Sequence, residues 1–289
     1  MNHKPSATTL FSNDGFGITA AEPWFKVKVQ LLQSYLQTFI THSSGRADEI
    51  IFVDLFAGSG LYSHGHQKEV FPSCGLASLA SDWPFSKWIL CERNPEEVRA
   101  LKIRTNKHFR RKNVVILDQP FDELFEKLRL YVPQTKGGYR ATTICLVDPF
   151  SLDIHFSFLQ KLAEIGFSFL IPFTFNLNGW HDYRYYTEEH GEKLKKYLGT
   201  KDLAKLESVQ SNVQFYKHLV RIYQNNMLML GLNTTLTMHK IESSLMELPA
   251  YYVGFFSRQI PTKSIQRDIR ESRQEQLELF DFDSAQSPE

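Results

Sequence analysis

Apolar positions fall in short unbroken blocks, separated by stretches with helical spacing. Ile50 to Phe56 is apolar apart from Asp54, and Trp88 to Cys91, Val114 to Leu117, Thr143 to Val147 and Phe167 to Phe175 form four further blocks. Such blocks, closed by glycines or an acidic residue, read as strands buried on both faces. The intervening segments predict helices. One opens at Glu22-Pro23 and carries Trp24, Val27, Val29, Leu31, Leu32, Tyr35, Leu36 and Phe39. A short one covers Gly75 to Ser81, and another runs from Asn94-Pro95 to about Phe109, with Asn as its cap and Pro in its first turn. Phe121 to Tyr131 and Phe156 to Ile165 complete the set, while Leu61 to Ser73 reads as a loop. Strands and helices alternate about every 25–30 residues, which predicts a doubly wound Rossmann-like α/β fold around a parallel sheet.

The alternation stops at residue 176. Residues 176–212 are polar and rich in Tyr and Lys, and they read as a helical insertion with helices over Thr187 to Tyr197 and Lys201 to Ser208. A helix over Phe215 to Leu230, ended by Gly231, precedes two closing strands, Leu232 to Ile241 and Tyr251 to Phe256. The expected sheet is mostly parallel with an antiparallel closing strand. The expected organisation is a polar segment 1–21, a domain 22–258 and a charged tail 259–289.

Composition narrows the function classes. The chain has 289 residues, 42% of them hydrophobic, with 23 Phe and 12 Tyr, so it can bury a large core and is not a disordered polymer. A net charge of +1 argues against coating nucleic acid non-specifically, though not against a local basic patch. Three cysteines, Cys74, Cys91 and Cys145, make no disulfide framework and point to a reducing compartment. Cys91 and Cys145 sit in strand-like blocks as small hydrophobes. His64, His66 and Cys74 lack the spacing of a metal site. Met1 to Thr9 is polar and no run of about 18 apolar residues occurs, so a cytoplasmic protein without a membrane span is expected.

Open parallel sheets bind ligands beyond the carboxyl ends of their strands. Four acids stand at such ends: Asp54, Glu92, Asp118 and Asp148. Asp54-Leu55-Phe56-Ala57-Gly58-Ser59-Gly60 is a sharp turn whose glycines let a ligand approach the backbone. It is neither a dinucleotide fingerprint nor a P-loop. An acid-lined pocket with no phosphate cradle suits a cationic ligand of low phosphate content. Glu92 is placed to accept from a ribose diol, and Asp118, followed by Gln119, to read a purine amine. Either acid also suits the first turn of a helix.

These residues carry a resemblance. Asp54 to Gly60 is similar to motif I of class I S-adenosylmethionine (SAM)-dependent methyltransferases, and Glu92 and Asp118 match the acids after their second and third strands. Asp148-Pro149-Phe150-Ser151 resembles the motif IV of amino-methyltransferases, with one proline where the usual form has two. The chain over about residues 22–258 also resembles the three-Cys-motif partner (TcmP) family. The matching features are Trp24 to Lys28 with Tyr35-Leu36, the Asp54 to Gly60 turn, Cys74-Gly75-Leu76-Ala77, Asp148 to Ser151 and Tyr251 to Ser257. The resemblance implies a class I methyltransferase fold and SAM as cofactor. Asp54, Phe56, Ala57, Gly58, Gly60, Glu92 and Asp118 would hold SAM, and Asp148, Pro149 and Phe150 would present the acceptor. It also implies a radical-SAM-like partner protein.

Three segments stay open. Arg99, Lys102, Arg104, Lys107, Arg110, Arg111 and Lys112 read as a phosphate-contacting stretch or a solvated helix face. Asn176 to Asn178 with Trp180, His181, Tyr183, Arg184, Tyr185 and Tyr186 read as a recognition surface for a flat substrate or a lid packed on its own tyrosines. Gln276-Leu277-Glu278-Leu279-Phe280 resembles the bacterial sliding-clamp binding peptide, or docks on its own domain. The expectation is a methyltransferase acting on nucleic acid, DNA above RNA. The alternative is a non-catalytic SAM-fold adaptor that delivers a second enzyme to DNA.

Overall fold

The computed structural model describes residues 11–65, 69–133, 137–149 and 151–265. A seven-stranded sheet forms the centre. Its strands are β2 (Glu49–Asp54), β5 (Lys87–Cys91), β6 (Val114–Leu117), β7 (Ala141–Leu146), β8 (Phe167–Pro172), β9 (Asn233–Lys240) and β10 (Ala250–Ser257), in the spatial order β6-β5-β2-β7-β8-β10-β9. The first five run parallel, and β10 is antiparallel to both neighbours, so the expected mostly parallel sheet with an antiparallel strand at its close is present.

The apolar blocks are the centre of this sheet. Ile51, Phe52, Val53, Ile89, Leu90, Ile144, Cys145, Phe169 and Leu170 are all buried. Strands covered on both faces need no alternation, which is why these blocks are continuous. Helices α1 (Trp24–Ser43), α2 (Cys74–Ala80), α3 (Pro95–His108), α4 (Phe121–Tyr131) and α5 (Phe156–Glu164) supply the cover. Asn94 caps α3 as expected, its Oδ1 accepting from the amides of Glu96 and Glu97 at 3.0 and 3.5 Å. From β2 the chain steps outward to β5 and β6, then returns to β7 on the other side. The strand order therefore reverses at the carboxyl end of β2, where a ligand crevice is expected.

The expected loop is absent. Residues 61–73 are not a loop: β3 (Leu61–His64) and β4 (Glu69–Pro72) pair antiparallel, and β1 (Thr19–Ala20) adds to β3 in parallel. Each of these strands is at most four residues long, too short for a period-2 pattern to register. Tertiary packing sustains them instead, with Tyr62 against Phe71 and Phe25 at ring centroid distances of 5.6 and 5.4 Å.

The segment beyond β8 forms a π-helical turn, Tyr185–Glu189, then α6 (Gly191–Leu198) and α7 (Ala204–Glu207), before α8 (Asn212–Met229). The single helix expected over Thr187 to Tyr197 is thus broken at His190. Tyr197 lies 5.3 Å from Tyr223 and 5.5 Å from Phe175, ring to ring, and the Tyr186 hydroxyl donates to the Asn176 carbonyl. These contacts pack the segment on α8 and on the chain leaving β8. Among the described residues no helix is long and apolar enough to cross a membrane.

Candidate functional site

After Asp54 the backbone turns sharply and is pinned on both sides. The Leu55 amide donates to the Leu146 carbonyl at the end of β7, and the Ala57 amide to the Cys91 carbonyl at the end of β5. Gly58 and Gly60 adopt φ of +57° and +86°, a region costly for residues with a Cβ. At Gly60 a Cβ would meet Leu76 Cδ1 at 2.6 Å, whereas at Gly58 nothing lies within 4 Å. Gly60 therefore seats the turn on α2, and Gly58 leaves open space.

That space belongs to a cavity of about 460 Å³ over the ends of β2, β5 and β7. Phe56, Ala57, Gly58 and Gly60 form one side, and Glu92, Glu97 and Gln119 another. Asp148 and Pro149 contribute from beyond β7, and Phe25, Tyr62 and Leu245 reach in from α1, β3 and the β9–β10 connection.

Asp54 itself is buried below the turn, its Oδ1 accepting from the Phe56 amide at 3.1 Å. Burial pushes its carboxyl up to about 7, and the Asp148 and Glu92 charges add to that push. Glu92 shapes the turn. Oε2 accepts from the Gly58 amide at 3.0 Å, while Oε1 accepts from the Arg93 and Asn94 amides at 2.8 Å each. A carboxylate offers about four acceptor positions, and these three bonds use most of them. Glu97, one turn into α3, lies beside it, and its carboxyl is pushed up by burial and by Glu92.

Asp118 does not form part of the cavity wall. It is exposed, with Lys102 Nζ 3.5 Å away, and it accepts from its neighbour's Gln119 Nε2 at 2.8 Å. Gln119 is the residue that faces the cavity, and its Oε1 is buried with no hydrogen-bond partner. The signal at this strand end is thus the pair, with the acid orienting the amide.

Asp148 is 11% exposed and meets Lys28, whose side chain is fully buried, with Nζ 2.7 Å from Oδ2. Thr174 Oγ1 is 3.4 Å from the other carboxylate oxygen. Lys28 Nζ also stands 4.7 Å from the Phe25 ring centre and 5.5 Å from that of Trp24. Phe150 lies outside the described residues, as do His66 and Gln276 to Phe280. His64 pairs with Glu69 at 3.2 Å, and Cys74 is buried in α2.

The basic stretch is not one surface. Arg104 is buried, gripping Asp14 through two nitrogens at 2.8 Å each and donating to the Ser59 carbonyl at 2.6 Å. Lys112 donates to the Ser81 carbonyl and covers the Trp88 ring. Beyond β8, Asn178 Oδ1 accepts from the amides of Trp180 and His181 at 2.9 Å each, and Asn178 Nδ2 donates to the Leu245 carbonyl. That segment therefore borders the connection that brings Leu245 to the cavity, with Trp180 90% exposed.

Lys28, Glu97 and Tyr62 escape sequence reading as site residues. For Lys28 a signal exists: it lies four positions after Trp24 on the buried stripe of α1, while Val27 is 62% exposed.

No protein-family model matches the chain, and no curated protein does. Solved structures do. A Legionella pneumophila protein of family model DUF519 matches with a TM-score of 0.51 at 9% identity, over 83% of this chain and 89% of that one. An O-methyltransferase from Bacillus cereus in complex with SAH matches at 0.41 and 7% identity, over 78% of this chain and 81% of that one. A putative methyltransferase, yhhF, from Escherichia coli matches at 0.41 and 12% identity, over 85% and 92%. The first likeness shows a shared fold. The other two are weaker in shape and add no argument.

Proposed function

We propose that the cavity binds SAM and that the chain is a SAM-dependent methyltransferase-type protein. One observation carries this reading: the turn residues Leu55–Gly60, Glu92 and Gln119, whose buried Oε1 has no hydrogen-bond partner, line one cavity at the strand-order reversal. The residues fit the ligand's parts. The space at Gly58 accommodates an atom against the backbone. Glu92 and Glu97, side by side in the wall, suit ribose hydroxyls. Gln119 Oε1 suits an exocyclic purine amine, with Asp118 holding the amide in that orientation. Glu92 and Glu97 in the wall favour a cation.

When bound, SAM supplies an electrophilic methyl on a sulfonium. Transfer needs little acid–base help, so positioning dominates. Asp148 orients an N–H or O–H nucleophile, Pro149 fixes the backbone beside it, and Phe150 offers a face to a flat acceptor. On this reading the acceptor is a nucleic-acid base, DNA above RNA, and the Gln276–Phe280 peptide recruits the protein to a sliding clamp. A TcmP-type relationship to a radical-SAM-like partner belongs to the same reading, as does a cytoplasmic location. A second reading, a SAM-fold adaptor without transfer, is favoured by the Lys28–Asp148 ion pair, which already engages the proposed orienting carboxylate.

Calorimetry with SAM and its demethylated product SAH tests the first step. Asp54→Ala and Glu92→Ala should each weaken binding at least tenfold; unchanged binding, or none by the wild type, removes the proposal. Labelled-methyl transfer to DNA, tRNA and protein then separates enzyme from adaptor. Clamp capture undiminished in Leu279→Ala/Phe280→Ala removes the clamp peptide.

A further inference from the structure

Lys28 reaches from α1 to the edge of the cavity and places its ammonium against the Asp148 carboxylate, both shielded from water. The cavity's other carboxylates are Glu92, Glu97 and Asp153, with the Arg93 guanidinium beside them, while Asp54 lies buried below the turn and the Tyr62 phenol faces Asp148, Asp54 and Glu97 from β3. Asp153 is paired with Lys193 at 2.7 Å, and among the described residues neither Glu92 nor Glu97 has an ion pair. The pair is neutral as a unit, whereas Asp148 alone would add a full negative charge to a wall that already carries Glu92.

SAM carries a positive sulfonium, and SAH carries a neutral thioether at the same place. The two have nearly the same shape, so a cavity separates them chiefly by its charge. We propose that the Lys28–Asp148 pair sets this preference, Lys28 withholding from the cavity one negative charge that would otherwise favour the sulfonium over the thioether. The inference rests on the cofactor reading above. Its effect is on the ratio of two affinities, which packing damage does not move: a loosened wall weakens both ligands together.

The test is calorimetry of SAM and SAH at pH 8 and low salt on wild type, Lys28→Met, Asp148→Asn and the double variant. A unit charge at close range in a partly buried site changes affinity by about tenfold or more. Lys28→Met should therefore raise the ratio of SAH Kd to SAM Kd at least tenfold. Asp148→Asn leaves Lys28 uncompensated and should lower the ratio at least tenfold. The double variant, neutral again, should return to within about threefold of wild type, which is less than 1 kcal/mol. Singles that shift the ratio in one direction, or not at all, overturn the inference while leaving the cofactor reading intact. A wild type that binds neither ligand overturns the cofactor reading, and the inference with it. Should Lys28→Met fail to fold, the opposite-signed Asp148→Asn arm decides.

Discussion

Glu22, just ahead of α1, accepts hydrogen bonds from the amide and hydroxyl of Ser244, both at 2.6 Å and 222 residues further along the chain. Ser243 Oγ and Trp24 Nε1 also donate to the same carboxylate. This one side chain ties the entrance of the domain to the β9–β10 connection that delivers Leu245 to the cavity mouth. Burial pushes the Glu22 carboxyl up, but the Ser243, Ser244 and Trp24 hydrogen bonds outweigh it and hold the group down at about 2.

A lowered folded-state pKa adds stability above the unfolded value of 4.5 that is lost as pH falls toward about 2. Glu22→Gln should therefore lose about 1 kcal/mol in urea unfolding at pH 7, after allowance for solvent screening. The gap to wild type should close between pH 4.5 and 2. A gap that persists unchanged at the acid end would show that the side chain acts by packing and not by charge.

Asp54 gives the opposite slope. Its folded-state carboxyl stands at about 7, above its ordinary 3.8. The folded chain thus holds a proton that the unfolded chain releases, and stability declines as pH rises from 3.8 to about 7, then levels off. Asp54→Asn removes that decline. It should stabilise the apo protein at pH 8 by about 2–4 kcal/mol and make little difference at pH 4. Thermal unfolding of both proteins across this pH range is the check, and parallel profiles would refute it.

Much of this was legible in the sequence, for definable reasons. The unbroken apolar blocks around Ile51, Ile89 and Phe169 mark doubly covered strands, and the acids at their ends mark the crevice, because both follow from local spacing. Lys28 was legible as a buried group only from its place on the α1 stripe, and Arg104 was not legible as one. Their charges are matched by Asp148 and Asp14, 120 and 90 residues away, and no local pattern announces a partner at that distance. Gln119 beside Asp118 was half legible: both stand at the end of β6, but which of two adjacent side chains faces inward depends on how the chain leaves that strand. The β3–β4 hairpin was hidden because its strands owe their existence to packing on Phe25 and β1.

The two glycines of the turn should separate by variant. Gly58→Ala meets only the backbone cost of a left-handed residue, about 1 kcal/mol. Gly60→Ala adds a clash with Leu76 inside a buried contact and should cost about 2 kcal/mol or more. Cofactor binding should reverse the order of interest: Gly58→Ala, whose methyl points into open space in the cavity wall, should weaken SAM binding more than its small stability loss explains. Urea unfolding paired with calorimetry measures both, and equal stability losses for the two variants would contradict the geometry.

Arg104 joins three separate pieces of chain: Asp14 of the N-terminal segment, Ser59 of the turn, and its own helix α3. Its planar fork matches both Asp14 oxygens while a third nitrogen reaches the Ser59 carbonyl, so the contact is geometric as well as ionic. Lys in its place offers a point charge that cannot span all three acceptors. Arg104→Met, which leaves Asp14 without its cation, should cost about 3 kcal/mol in urea unfolding, and Arg104→Lys should recover less than half of that. A double-mutant cycle with Asp14→Asn should give a coupling of about 1 kcal/mol or more. Full rescue by Lys would mean that charge alone holds Asp14, and that the turn at Ser59 does not depend on this side chain.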